Sequence, residues 1–234
     1  MNELWMSLAA AGGRPLDPDR EHRLHRYLDL LLAANQTMNL TRVTDRPAAE
    51  LHHIADALTV LPHLPAGPHL LADVGSGGGS PGIPLAIVMP EATVLLIEST
   101  KKKAAFLSRA IAGLELANVQ VAACRAEEVA RTAQRESFDR VIARAVAPLD
   151  FLAEFCLPLV RIGGHMLAMK GPRVDDELPG AQRAIGLLGG GVPVVHPTDL
   201  PGAAGHVIVD IRKDLRTSAR YPRPPAEQKG RPLA

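Results

Sequence analysis

The residues with the most chemical content fall in one short stretch, Asp73-Val74-Gly75-Ser76-Gly77-Gly78-Gly79. It follows the apolar run Leu70-Leu71-Ala72 and precedes an apolar segment opening at Gly82. Glycine is needed where a strand turns sharply into a helix and the backbone must approach a ligand with no Cβ in the way. The amides at the start of the following helix favour an anionic group. That group is pyrophosphate in a dinucleotide enzyme and the methionine carboxylate of S-adenosylmethionine in a methyltransferase. Two details weigh toward the second. Gly-x-Gly-x-x-Gly would place its third glycine where this chain has Ser80, and Asp73 stands two residues before the first glycine. Glu98, closing the next apolar run, lies at the spacing of a carboxylate that accepts hydrogen bonds from both ribose hydroxyls. A solvated strand end is the plainer reading of the same residue. Asp73, Gly75, Gly77, Ser80 and Glu98 are thus cofactor candidates, although the turn alone does not choose the cofactor.

Such residues need a frame. Residues 1–66 read as helical: Leu24, Tyr27, Leu28, Leu31 and Leu32 form an amphipathic stripe that starts near Pro18 behind an Asp17 cap. A second helix after Pro47 buries Leu51, Ile54, Ala55, Leu58 and Leu61, with the polar segment Asn39–Thr44 between the two. From His69 the pattern predicts strands over 69–74, 93–98, 118–122, 138–143, 163–169, 192–196 and 206–212. Helices are predicted over 82–89, 101–112, 126–135, 148–160 and 175–188. Alternation implies right-handed βαβ crossovers. The last two strands are joined only by the loop Pro197–Gly205, so they should pair antiparallel. The fold expected is α/β, a Rossmann-like class I methyltransferase. Its seven-stranded sheet is mainly parallel and doubly wound, the last strand is antiparallel, and a helical extension precedes it. The predicted division is a helical extension over 1–66, a cofactor-binding methyltransferase domain over 67–213 and a mobile, basic, Pro-rich tail over 214–234.

Composition narrows the options. At 47% apolar and 22% charged the 234 residues suit one globular enzyme, and 3% aromatic content argues against a platform of rings for single-stranded nucleic acid. A net charge of +1 supplies no global field, so any RNA contact must be local. Cys124 and Cys156 are too few for a zinc site or a disulfide framework, and no metal is expected. Glu3 and the break at Gly12-Gly13 speak against a signal peptide, and no apolar run approaches a membrane span. A cytoplasmic protein with reduced thiols and no membrane partner is the expectation.

The order of motifs resembles the bacterial small-subunit (16S) ribosomal RNA guanine-N7 methyltransferases, also called glucose-inhibited division protein B. It runs from about Leu24 to Lys213. It rests on Asn39-Leu40-Thr41 with Val43, His53-Ile54 with Asp56, and Asp73-Val74-Gly75 through Ser80-Pro81-Gly82-Ile83-Pro84-Leu85. Arg125-Ala126-Glu127-Glu128, Phe138-Asp139-x-Val141-Ile142 with Arg144-Ala145, and Lys170-Gly171 complete it. The resemblance implies S-adenosylmethionine held by Gly75, Ser80, the Ala126-Glu127 pair at the adenine edge, and Arg144. It implies 16S ribosomal RNA as partner, within the small ribosomal subunit, and a monomeric enzyme. Ser80 replaces an apolar residue common in the family, which points to a backbone contact there.

The residues themselves bear on the chemistry. The segment after the fourth predicted strand, Ala143-Arg144-Ala145-Val146-Ala147-Pro148, lacks the Asp/Asn-Pro-Pro-aromatic motif of amino methyltransferases, and no Pro-Cys nucleophile is present. Both absences fit guanine N7, whose in-plane lone pair carries no proton and needs no general base. Catalysis then reduces to alignment and charge stabilisation. A cation touching N7 would block attack, so Arg144 and Lys170, the catalytic candidates, are expected on the cofactor carboxylate, guanine O6 or an RNA phosphate. An ion pair with a nearby acid is the competing reading for each. His53 and Asp56 lie one turn apart, as a catalytic pair or a polar clamp. Asn39 and His53 are RNA candidates, with Thr41 lining the site or serving as a cap. Lys101, Lys102 and Lys103 open a predicted helix, against the macrodipole, and suggest phosphate contact. A nicotinamide oxidoreductase, a non-catalytic RNA-binding module and a small-molecule methyltransferase are the rival readings.

Overall fold

The computed structural model describes every residue except Met1, Lys229, Pro232 and Ala234. Helix α1 spans Asn2–Ala11, α2 Pro18–Met38 and α3 Arg46–Ala49. A π-helical segment, Glu50–Ala55, leads into α4 (Asp56–Leu58) and a 3-10 turn, Leu61–His63. Helix α2 starts where predicted: Asp17 Oδ1 accepts from Arg20 N at 2.8 Å and Pro18 takes the first position, where a missing N–H costs nothing. It stops at Asn39, whose left-handed φ of 51° ends the helix, and its stripe of Leu24, Tyr27, Leu28 and Leu31 is fully buried.

Strands and helices then alternate: β1 Leu70–Val74, α5 Gly82–Val88, β2 Thr93–Ile97, α6 Lys101–Gly113, β3 Val119–Ala122, α7 Ala126–Val129, β4 Phe138–Arg144, α8 Leu149–Cys156, β5 Val160–Lys170, α9 Val174–Leu187, β6 Val194–Pro197, β7 Val207–Arg212 and α10 Pro225–Gln228. The seven strands form one sheet in the order β3-β2-β1-β4-β5-β7-β6. The pairs β2–β3, β1–β4 and β4–β5 are parallel, while β7 runs antiparallel to both β5 and β6. The α/β class, the doubly wound parallel sheet and the antiparallel end are therefore as predicted.

Three elements differ from prediction for local reasons. Helix α7 stops after Val129 instead of reaching 135, because the Thr132 hydroxyl takes the Val129 carbonyl at 2.7 Å and then accepts from Gln134 N. Helix α8 ends at Cys156 rather than 160: Leu157 still has helical backbone, but Pro158 has no N–H to donate to the carbonyl four residues back, so the ladder stops there. Strand β5 begins three residues early and pays no regular register at its start: Phe138 pairs with Val160 but Arg140 pairs with His165, so the chain bulges over Arg161–Gly164.

By Cα proximity the chain forms two compact units, residues 1–69 with 76–123 and residues 70–75 with 124–234. In the first, α2 packs on α5 and α6, and α4 packs on α5. The helices expected as a separate extension thus share a unit with β2 and β3. In the second, α8 and α9 pack together and β1, β4 and β5 end side by side, with Asp73 opposite Ile142 and Arg144 opposite Met169. The tail, expected to be loose, is tied down in this unit. Arg135 donates to the carbonyls of Thr217, Ser218 and Tyr221, and Arg131 donates to that of Pro222. Arg223 grips the buried Glu154 carboxylate through Nε and Nη2, at 2.9 and 2.7 Å. Among the described residues no helix is long and apolar enough to cross a membrane.

Candidate active site

In the first unit the glycine turn is organised by a carboxylate. Glu98, 6% exposed, follows β2 directly, and its Oε2 accepts from Gly77 N at 2.9 Å while Oε1 accepts from Thr100 N at 2.6 Å. The structure therefore brings Gly77 and Glu98 together, and the solvated strand end is not what is found. Each carboxylate oxygen has a second lone pair, so capacity for two further donors remains. Ser76 N adds a bond to the Ile97 carbonyl at 3.1 Å.

Behind the turn stands α2. Tyr27 Oη donates to the Gly78 carbonyl at 2.9 Å, and a Cβ on Gly78 would come within 2.8 Å of Leu31. Tyr27 belongs to an apolar stripe, so nothing in its sequence context marks it as a support of the turn. Ser80 is buried and its hydroxyl donates to the His53 carbonyl at 2.8 Å, leaving its backbone as the part that could meet a ligand.

His53 sits in the π-helical segment and is 7% exposed; its Nε2 lies 3.1 Å from Thr41 Oγ1, which also accepts from Val43 N. Asn35 clamps Thr41 from both sides, accepting from its amide at 2.9 Å and donating to its carbonyl at 3.0 Å. Burial makes His53 a poor surface contact for RNA and a good brace between the 39–44 loop and the segment behind the turn. Asp56, also buried, begins α4 three residues on. Asn39 is exposed, as is the α6 pair Lys101 and Lys102, and Lys103 is half-buried. Helices interrupted by a π turn are frequent at functional sites, and no residue pattern announced this one.

The second unit holds the rest. Asp73, 1% exposed, lies near the end of β1. Gly75 follows with φ of 74°, and a Cβ there would meet Val146 Cγ2 at 2.6 Å, so both conformation and space require glycine. Ala126 and Glu127 open α7 and are buried. Glu127 Oε1 is enclosed and accepts no hydrogen bond; Arg125 Nη1, at 3.8 Å, is close enough for charge but not for a bond. Cys156 is fully buried: burial first, then the carboxylates of Asp73 and Glu127, push its thiol well up from its usual value.

Arg144 closes β4 half-exposed, and the next residue, Ala145, has the left-handed φ of 55° that is strained for a residue with a Cβ. Lys170 closes β5. Expected to face cofactor or substrate, its ammonium is taken up elsewhere. Nζ lies 2.6 Å from Glu177 Oε2 and donates to the Ala147 carbonyl at 3.1 Å, while Leu149 N donates to the same Glu177 oxygen at 2.7 Å. Lys170 thus fastens the segment that follows Arg144, and Glu177, seven positions further along, is the partner that sequence reading missed. Arg144 and Lys170 end adjacent parallel strands at the carboxyl edge, where open α/β sheets bind ligands.

The family model described as GidB, rRNA small subunit methyltransferase G, matches residues 20–198. The chain is 42% identical over 231 residues to the ribosomal RNA small subunit methyltransferase G of Chloroflexus aggregans, covering 98% of this chain and 97% of that one. It is 43% identical over 232 residues to the protein of that name from Roseiflexus sp., covering 99% of each. Among solved structures, a T. thermophilus 16S rRNA N2 methyltransferase in complex with AdoMet and guanosine superposes with a TM-score of 0.51 at 18% identity. The match covers 76% of this chain and 41% of that one, a likeness of fold.

Proposed function

The chain belongs to the rRNA small subunit methyltransferase G family, and from that premise we propose that it methylates N7 of a guanine in small-subunit (16S) ribosomal RNA with S-adenosylmethionine. The observation that carries the reading is the buried Glu98 carboxylate bonded to the Gly77 amide, a carboxylate held at the turn with acceptor capacity left for a ribose. The residues present fit the cofactor. Glu127 Oε1 is a buried acceptor suited to the adenine amino group. The buried negative charge of Asp73 and Glu127 suits a ligand that carries an ammonium and a sulfonium.

When bound, the cofactor supplies an electrophilic methyl group. In this reading Glu98 takes the ribose hydroxyls, Ala126 and Glu127 the adenine edge, and the backbone of Gly75, Gly77 and Ser80 the methionine end. Arg144 orients the cofactor carboxylate or guanine O6 and leaves N7 open, while Lys170 acts as a positioning residue through Glu177 and Ala147. No residue has to remove a proton, because N7 carries none. Lys101, Lys102 and Lys103 with Asn39 meet RNA, and His53 supports that surface from within. The enzyme works as a cytoplasmic monomer on RNA within the small ribosomal subunit.

The test is transfer of labelled methyl groups to small subunits from cells that lack this enzyme, followed by chemical cleavage at 7-methylguanosine. A single labelled guanine is expected. Absence of label, or label that cleavage does not locate, overturns the reading.

A further inference from the structure

The bulge in β5 and the anchored tail meet at the end of the sheet opposite Arg144. They frame a groove of about 580 Å³ lined by Arg135, Glu136, Ile162, Arg216, Thr217 and Ala219. Glu136 precedes β4, and Ile162 projects from the bulge with 47% of its surface exposed. The groove is built rather than incidental. Arg135 spends its fork on the Ala130, Thr217, Ser218 and Tyr221 carbonyls, which fixes the tail backbone against the segment after α7 without neutralising the guanidinium. Thr217 N donates to Glu136 Oε1 at 2.7 Å, and Lys213 Nζ lies 3.5 Å from the same oxygen, so the one acid of the groove already faces a cation.

Charge then decides what the groove accepts. The ion pairs of this region involve Arg161, Arg212, Lys213 and Arg223. Arg131, Arg135, Arg216 and Arg220 meet no carboxylate there among the described residues, and Arg220 Cζ lies over the Tyr221 ring, 4.6 Å from its centre. Arg216 and Arg220 near the exposed apolar side chains Ile162 and Leu215 suit a nucleic-acid strand: phosphates take their N–H donors, sugar or base edges take the apolar contacts, and Arg135, its donors already spent on carbonyls, adds charge. Strand β4 runs seven residues from Phe138 near the groove to Arg144, roughly 20 Å at 3.3 Å per residue. Only a substrate much larger than the target nucleotide reaches both ends.

We propose that this groove is a second phosphate contact for ribosomal RNA, one that holds the subunit at a distance from the methylated base. The proposal rests on the rRNA reading above. Its test is the pair Arg216→Glu with Arg220→Glu in the full chain, with binding to purified small subunits measured over a range of salt. The expected result is a Kd raised about tenfold and a log–log salt slope shallower by about 1.5, as for two lost phosphate contacts. Thermal midpoint, affinity for S-adenosylmethionine and kcat at saturating subunit should match wild type, with the change in KM. Unchanged Kd and slope in a variant that melts with wild type overturn the proposal. So does a fall in kcat at constant KM, which would place the groove at the reacting centre. Failure of the wild-type enzyme to label subunits instead defeats the substrate reading, and the binding data judge the groove separately.

Discussion

Glu98→Gln tests the organisation of the turn most directly. The carboxylate accepts from Gly77 N at 2.9 Å and from Thr100 N at 2.6 Å in a buried setting. Glutamine offers one acceptor oxygen and turns an NH2 toward the other amide, so one charge-assisted bond is lost and the survivor becomes neutral. That removes about 2–4 kcal/mol. For a domain of this size the thermal midpoint should fall by roughly 5–15 °C. If the same carboxylate also holds the ribose, calorimetry well below the midpoint should show S-adenosylmethionine binding weakened by tenfold or more, about 1.4 kcal/mol. Glu98→Asp keeps the charge with a shorter reach and should fall between. A Gln variant that melts early yet binds the cofactor within about twofold of wild type would refute the reasoning, leaving Glu98 as a staple for the loop alone.

Lys170→Met and Glu177→Gln should lower kcat together while cofactor affinity holds, since each releases the segment at Ala147 and Leu149. Loss of activity in the lysine variant alone would mean that Lys170 touches substrate. Lys213 is fully enclosed against the Leu157 carbonyl and Thr217 Oγ1, and burial lowers its pKa from 10.5 to about 8 despite Glu136. The unfolded chain therefore binds that proton more tightly between those values, and stability should rise as pH climbs from about 8 to about 10.5. Denaturant titrations of wild type and Lys213→Met should diverge across that window, and parallel curves would contradict the assignment. In thiol titration of the native protein, half-buried Cys124 should react slowly and Cys156 only on unfolding. Two equally fast thiols would count against the burial of Cys156.

What the sequence disclosed follows the range of the interactions involved. Helix α2 was legible because its cap, its first-turn proline and its apolar stripe are local signals. The glycine turn and Glu98 were legible because a strand, a turn and the next strand lie in one short βαβ unit. The overlong α8 ignored Pro158, a signal that was present, and the overlong α7 missed a hydroxyl competing for the Val129 carbonyl. Other features depend on contacts that no window contains. Arg223 and Glu154 stand 69 positions apart, so the tail reads as loose in sequence and is held in the fold. Lys170 reads as a free cation until Glu177 is seen beside it, and His53 as a surface residue until Thr41 is.

The contact between Tyr27 and Gly78 bears on how such enzymes can be rebuilt. A minimal catalytic core cut at the first strand, or a chimera that joins this α/β body to a foreign leader, would strip the outer wall from the glycine loop. The Gly78 carbonyl would lose its donor and the backbone its neighbour Leu31. Grafts that carry α2 along with the loop should retain cofactor binding, and inherited change in one would be expected to track change in the other. The helical leader is thus part of the heritable unit of this site, although it contributes none of its carboxylates.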